Sequence, residues 1–159
     1  MAYQAIDVAK WFINAIDREA GESISHLKVQ KLLYFAEAWT QLVLDEDLFE
    51  EQIEAWAHGP VVPDVYYFFK GNSWDGLPPQ ELDTDFTPDV IDVLTQVLDI
   101  YGEFSAKTLE DMTHADAPWI EARGGVPAEA RCSSIMEKPR IKVFFAEKYG
   151  QLLNEQEAS

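Results

Sequence analysis

The stretch Ser25-His26-Leu27-Lys28-Val29-Gln30-Lys31-Leu32-Leu33-Tyr34-Phe35-Ala36-Glu37-Ala38-Trp39-Thr40-Gln41-Leu42-Val43-Leu44 decides the fold. No Gly or Pro interrupts it. Leu32, Phe35, Ala36, Trp39 and Val43 recur at helical spacing and define one buried face, which Leu33 widens. Ser25 is placed to cap the first turn. This is the clearest helix in the chain.

Upstream, Ala9, Phe12, Ile13 and Ile16 make one apolar stripe of a helix spanning residues 5–20, and Gly21 stops it. Downstream, Asp45-Glu46-Asp47 is a solvated turn, and Leu48–Trp56 has no clean period, so a short edge strand or an extended segment is expected. Gly59-Pro60-Val61-Val62-Pro63 cannot lie inside a helix. Pro63 suits the first turn of a helix over Asp64–Lys70, where Asp64 meets the positive end of the dipole. Asn72–Thr87 reads as a long loop, either a flap or a partner-facing segment. Thr87-Pro88 then starts a helix with Val90, Leu94, Val97, Leu98 and Tyr101 on its stripe. Ser105 caps a short helix carrying Leu109 and Met112, Pro118-Trp119-Ile120 begins another, and Gly124–Ala130 is a loop. Ile141, Phe144, Phe145, Tyr149 and Leu152 form a terminal helix entered at Pro139. The expected fold is mainly α: a single compact domain over residues 1–153 with about six to seven helices. A short extended or β-hairpin-like insertion falls around residues 48–63, and residues 154–159 form a polar, frayed tail.

Composition narrows the class of function. A content of 47% apolar and 13% aromatic residues is ample for a core. Twelve basic against 29 acidic residues leave a net charge of −17, which repels phosphate backbones and anionic lipid surfaces. Such a charge steers a basic protein partner inward, and it serves equally to keep a soluble protein apart from its neighbours. No run approaches the roughly 18 apolar residues of a membrane span. The first residues show neither a basic nor an apolar leader segment. The single cysteine, Cys132, fits a reducing cytoplasm. Direct nucleic-acid contact and membrane association are therefore not expected.

Signs of catalytic chemistry are sparse. The three histidines, His26, His58 and His114, stand in no zinc-ligand spacing, and there is no CxxC pair. Thr113-His114-Ala115-Asp116 reads as half a metal site, as an acid/base pair or, more commonly, as the capped end of a helix. Cys132 has no activating signature, and Gly124-Gly125 is a turn without a phosphate-binding pattern. No catalytic residue, metal or cofactor is expected. Trp56 and the run Tyr66-Tyr67-Phe68-Phe69 are a different matter. Four adjacent aromatics on a helix cannot all face one core. Some are either exposed as an interaction surface or packed beneath the loop that follows.

Three motifs carry a family resemblance. Lys28-Val29-Gln30-Lys31-Leu32-Leu33-Tyr34-Phe35-Ala36, then Glu54-Ala55-Trp56-Ala57-His58-Gly59-Pro60-Val61-Val62-Pro63-Asp64-Val65-Tyr66, then Leu109–His114 followed by Pro118-Trp119 resemble the Panacea, or SocA-like, antitoxin domains, also described as phage-associated GepA-like. The closing Ile141, Phe144 and Phe145 resemble that family's last helix, and the match spans roughly residues 5–150. Phe35 stands where Tyr is common, and the acidic 72–87 loop is a second departure. The resemblance implies a cytoplasmic, non-enzymatic, often prophage-encoded antitoxin that binds a co-encoded toxin, in some cases as an adaptor to a ClpXP-type protease. An acidic phage-type inhibitor or DNA mimic that occupies a nucleic-acid-binding protein is the alternative. Candidate partner-binding residues are Lys31, Tyr34, His58, Gly59, Pro60, Val61, Tyr66, Tyr67 and His114. Lys31 and Tyr34 lie off the apolar stripe and are expected to be open to solvent, unless Tyr34 seals the edge of the core. Gly59 and Pro60 also read as a simple redirection of the chain.

Overall fold

The computed structural model describes residues 2–71 and 76–158, with side chains as far as residue 150. In chain order the elements are α1 (Ala5–Ala15), α2 (His26–Leu44), β1 (Ile53–Trp56), β2 (Gly59–Val61), α3 (Pro63–Phe69), α4 (Pro88–Tyr101), α5 (Ala106–His114), α6 (Ala117–Arg123), β3 (Ile135–Met136) and α7 (Lys138–Ala158). Seven helices and a small antiparallel sheet among the described residues make a mainly α domain.

Helix α2 is the axis. Ser25 caps it through a bond from the Lys28 amide to its hydroxyl at 3.2 Å. Every residue from Val29 to Ala38 is buried, so the helix is enclosed on all sides rather than along one stripe. Helices α1, α4, α5 and α7 pack around it. Phe35 stacks flat on Tyr101 of α4 with centroids 3.9 Å apart, and Phe145 of α7 closes edge-on against Tyr34, Phe35 and Trp39. Val43, expected on the buried face, is 49% exposed.

Helix α1 stops at Ala15, five residues short of the expected end. Side chains take over the backbone groups there. Arg18 donates to the Ile13 carbonyl at 3.0 Å, and the Asp17 carboxylate accepts from the Ala20 amide at 3.1 Å. Strand β1 is the middle strand of the order β2-β1-β3, not an edge strand, since β3 arrives from the far end of the chain to pair with it. Pro60 sits in edge strand β2, opposite Ala55, where its missing N–H is tolerated.

The loop following α3 has no regular structure over residues 76–87, while residues 72–75 of the expected loop lie outside the described residues. It is a strap laid along α1 rather than a free flap. Leu77 and Phe86 are buried, Asn14 exchanges two hydrogen bonds with the Gln80 backbone, and Thr84 donates to Asp7 at 2.7 Å. The aromatic run of α3 divides: Phe69 is buried, Tyr66 is half-buried, and Tyr67 and Phe68 are 62% and 56% exposed.

Candidate functional site

The three motifs, far apart in sequence, meet at one corner where the β1–β2 hairpin crosses α2 and α5. Gln30 of α2 reads the hairpin exit with both ends of its amide. Its oxygen accepts from the Val62 N–H at 2.8 Å and its nitrogen donates to the Val62 carbonyl at 3.5 Å. One turn along, the Tyr34 hydroxyl donates to Asp116 at 2.8 Å. Trp119 donates its indole N–H to the Trp56 carbonyl at 2.9 Å, and Arg123 donates to the Ala55 carbonyl at 2.9 Å while its guanidinium lies 4.8 Å from the Trp119 ring centre. The hairpin is thus clamped by polar groups from α2 on one side and α6 on the other.

Lys31 lies beneath the turn, 1% exposed. Among the described residues its ammonium makes no hydrogen bond. Burial pushes its pKa down to about 8, against the attraction of Glu110. Gly59 makes this packing possible. Its φ is +108°, and a Cβ there would stand 2.8 Å from Lys31 Cε and 2.9 Å from the Thr113 hydroxyl. Glu110 gathers two histidines: His58 Nδ1 lies 3.5 Å and His114 Nε2 3.8 Å from its Oε1. The His114 ring stacks on Trp119, with centroids 4.1 Å apart and planes 16° off parallel. Burial lowers the His114 pKa, opposed by Glu110 and by a hydrogen bond to the Ala57 backbone. Burial likewise raises Asp116, opposed by the Tyr34 hydrogen bond and by Lys148, and it raises the Tyr34 phenol well above its ordinary range.

The candidate residues therefore separate by depth. Lys31 is sealed in, against the expectation that it faces solvent, and Tyr34 is buried, in line with the alternative that it closes the core. Gly59, Pro60 and Val61 are also buried, as β2. His58 is exposed, His114 and Tyr66 are half-buried, and Tyr67 is exposed. Lys31, His58, Gly59 and His114 come together around Glu110, whereas Tyr66 and Tyr67 lie on α3, linked to the hairpin through the Trp56–Tyr66 ring contact at 4.9 Å. Glu110, Thr113, Asp116 and Arg123 belong to the corner and were not singled out as partner-binding residues from sequence. The local signals were the i, i+4 spacing of Glu110 and His114 and the Thr113-His114-Ala115-Asp116 grouping. Among the described residues no three His, Cys, Asp or Glu side chains are grouped to hold a metal ion, and no helix is long and apolar enough to cross a membrane.

Comparison with curated proteins and with solved structures finds no match. The family model described as antitoxin SocA-like, Panacea domain matches residues 29–120. That span is more than half of the chain and holds every converging segment from Gln30 to Trp119, and the chain belongs to the SocA-like antitoxin, Panacea domain family.

Proposed function

We propose that the chain is a non-enzymatic antitoxin that neutralises a co-encoded toxin by direct contact in the cytoplasm, with delivery of that toxin to a ClpXP-type protease as its route of disposal. Membership of the antitoxin family carries this reading. A buried frame with aromatic groups held outside it supports a binding role: the Gln30, Trp119 and Arg123 clamp fixes the hairpin, and His58, Tyr66 and Tyr67 lie outside the core nearby. A surface fixed in advance loses little entropy on binding. The non-enzymatic reading is supported by the sealing of Lys31, whose depressed pKa would otherwise recommend it as a reactive amine.

Co-expression with each adjacent gene, scored for rescue from toxicity and for co-purification, tests the proposal. Absence of both rescue and a complex with every neighbour refutes it. Repeating the rescue in cells without the ClpX unfoldase separates delivery from occlusion, because an adaptor then holds its toxin without removing it. The acidic-inhibitor reading is favoured by the charge of −17. It requires that duplex DNA compete with the chain for the partner, and absence of competition removes it.

A further inference from the structure

Helix α3 carries a second kind of surface. Val65 and Phe69, spaced i, i+4, turn inward and are buried. Asp64, Tyr67 and Phe68, spaced i, i+3, i+4, share the outward face and are exposed. Beside that face runs a groove of about 420 Å³ against the start of α1, lined by Ile6, Phe68, Lys10 and the carboxylates of Asp7, Glu51 and Asp64. Three acidic groups against one lysine leave the groove net acidic. Two of the three are held in place by the fold. Glu51 accepts from the Ala5 amide at 3.0 Å, and Asp7 accepts from the Thr84 hydroxyl at 2.7 Å. Both exposed rings already carry an ammonium from this chain: Lys10 Nζ lies 5.3 Å from the Phe68 centroid, and Lys70 Nζ lies 5.8 Å from that of Tyr67.

We propose that the α3 face and its groove take a basic amphipathic segment of a protein partner, with an arginine or lysine entering between Phe68 and the carboxylates and an apolar side chain covering Tyr67. The charge sets the class of occupant. Fixed carboxylates beside an aromatic face favour a cation twice, by direct attraction and through the ring quadrupole. They repel phosphate backbones, anionic lipid and acidic peptides alike. Lys10 shows the position a cation takes over Phe68, and an arginine, more weakly hydrated and able to stack flat, displaces it with gain. The rings themselves are rigid, so little side-chain entropy is lost when they are covered. This inference builds on the antitoxin reading by naming the chemistry of the partner's contact.

The test uses the full chain and the neighbouring gene product that it binds and from whose toxicity it rescues cells. Three variants are compared: Tyr67→Ser/Phe68→Ser, Asp64→Lys, and Asp99→Lys as a control of equal charge change. Asp99 is exposed on α4 and lines a separate cavity with Ile16 and Gly102. The first two are expected to weaken the complex by about tenfold or more, and the control to stay within about twofold. Wild-type affinity is expected to fall as salt is raised from about 50 to about 300 mM. Unchanged thermal melts exclude misfolding as the cause. Equal weakening by Asp64→Lys and Asp99→Lys, or none from the aromatic double variant, overturns the proposal.

Where no neighbour binds, the antitoxin reading fails separately, and peptide probes still decide this one. A labelled amphipathic Arg/Leu peptide of about 18 residues is compared with its Glu/Leu counterpart by fluorescence anisotropy. Support is binding of the Arg/Leu peptide that is lost in the α3 variants and kept in Asp99→Lys. Retention across all variants, preference for the Glu/Leu peptide, or binding of neither overturns it.

Discussion

Replacing Lys31 with Met should make the protein more stable. The ammonium has an ordinary pKa of 10.5 and titrates at about 8 in the fold, so the difference is 10.5 − 8 = 2.5 units, driven by burial. At roughly 1.4 kcal/mol per unit, holding the charge in place costs about 3 kcal/mol at neutral pH. The attraction of Glu110 is already contained in that figure. Methionine keeps an unbranched stem of similar size under Gly59 and removes the charge, so most of the cost is recovered. The pH dependence follows from proton binding. Between about 8 and 10.5 the unfolded chain holds a proton that the folded chain has released, so wild-type stability rises with pH across that window. Below about 8 the penalty is present in full; by 10.5 it is gone, and the gap between wild type and Lys31→Met should close. Urea melts at pH 7 and at about pH 10 measure both effects. With a denaturant slope of about 1–3 kcal/mol/M, the midpoint of Lys31→Met should lie about 1–3 M above wild type at pH 7. A variant less stable than wild type at pH 7, by an amount that does not change with pH, would refute the reasoning. The ammonium would then be satisfied where it sits.

Gly59→Ala should cost about 2–4 kcal/mol, since a β-carbon would have to share space with Lys31 and Thr113 at a positive φ; combining it with Lys31→Ala should recover part of the loss in a double-mutant cycle read by chemical denaturation. Tyr34→Phe should destabilise by about 1–3 kcal/mol, because the buried Asp116 carboxylate loses its phenol donor, and a variant within experimental error of wild type would show that water replaces it. Lys138→Met breaks the buried pair with Glu37, 2.8 Å apart, and should cost about 3–5 kcal/mol near neutral pH. Burial already raises the Glu37 pKa, so in this variant the carboxyl takes up a proton more readily and the loss should shrink as pH falls, which melts between pH 7 and about 5 would record. His58→Ala, at an exposed position, should leave the melting temperature almost unchanged.

Much of this architecture was legible because apolar side chains at helical spacing announce a helix whatever covers it. The stripes on α1, α4 and α7 and the Ser25 and Ser105 caps are of that kind. The character of α2 was hidden by its own polar residues. Gln30, Lys31, Glu37, Thr40 and Gln41 make the sequence look one-sided, yet all are buried, several with partners that sequence cannot pair. Gln30 meets Val62, Tyr34 meets Asp116 and Glu37 meets Lys138 across long separations, so no local pattern marks them. Strand β3, two residues long, was invisible for the same reason, and its arrival turns β1 into a middle strand. At the corner the segments of the resemblance meet, but sequence could not give depth: Lys31 is buried beneath the turn, whereas His58 and Tyr67 are exposed.

The late return of the chain to β1 also sets the order in which the protein can be completed. While a nascent chain grows by about 5–20 residues per second, α2 and the hairpin leave the ribosome long before their partners. Until residues 119–123 follow, the Trp56 and Ala55 carbonyls lack the Trp119 and Arg123 donors. Until residues 134–138 follow, the Ala55 amide lacks the Ser134 carbonyl and Glu37 lacks Lys138. A prematurely ended chain thus keeps an open strand edge, and a buried carboxylate without its cation, features on which degradation and aggregation act. Strand β1 and the surroundings of Glu37 are completed only when residues 134–138 have been made.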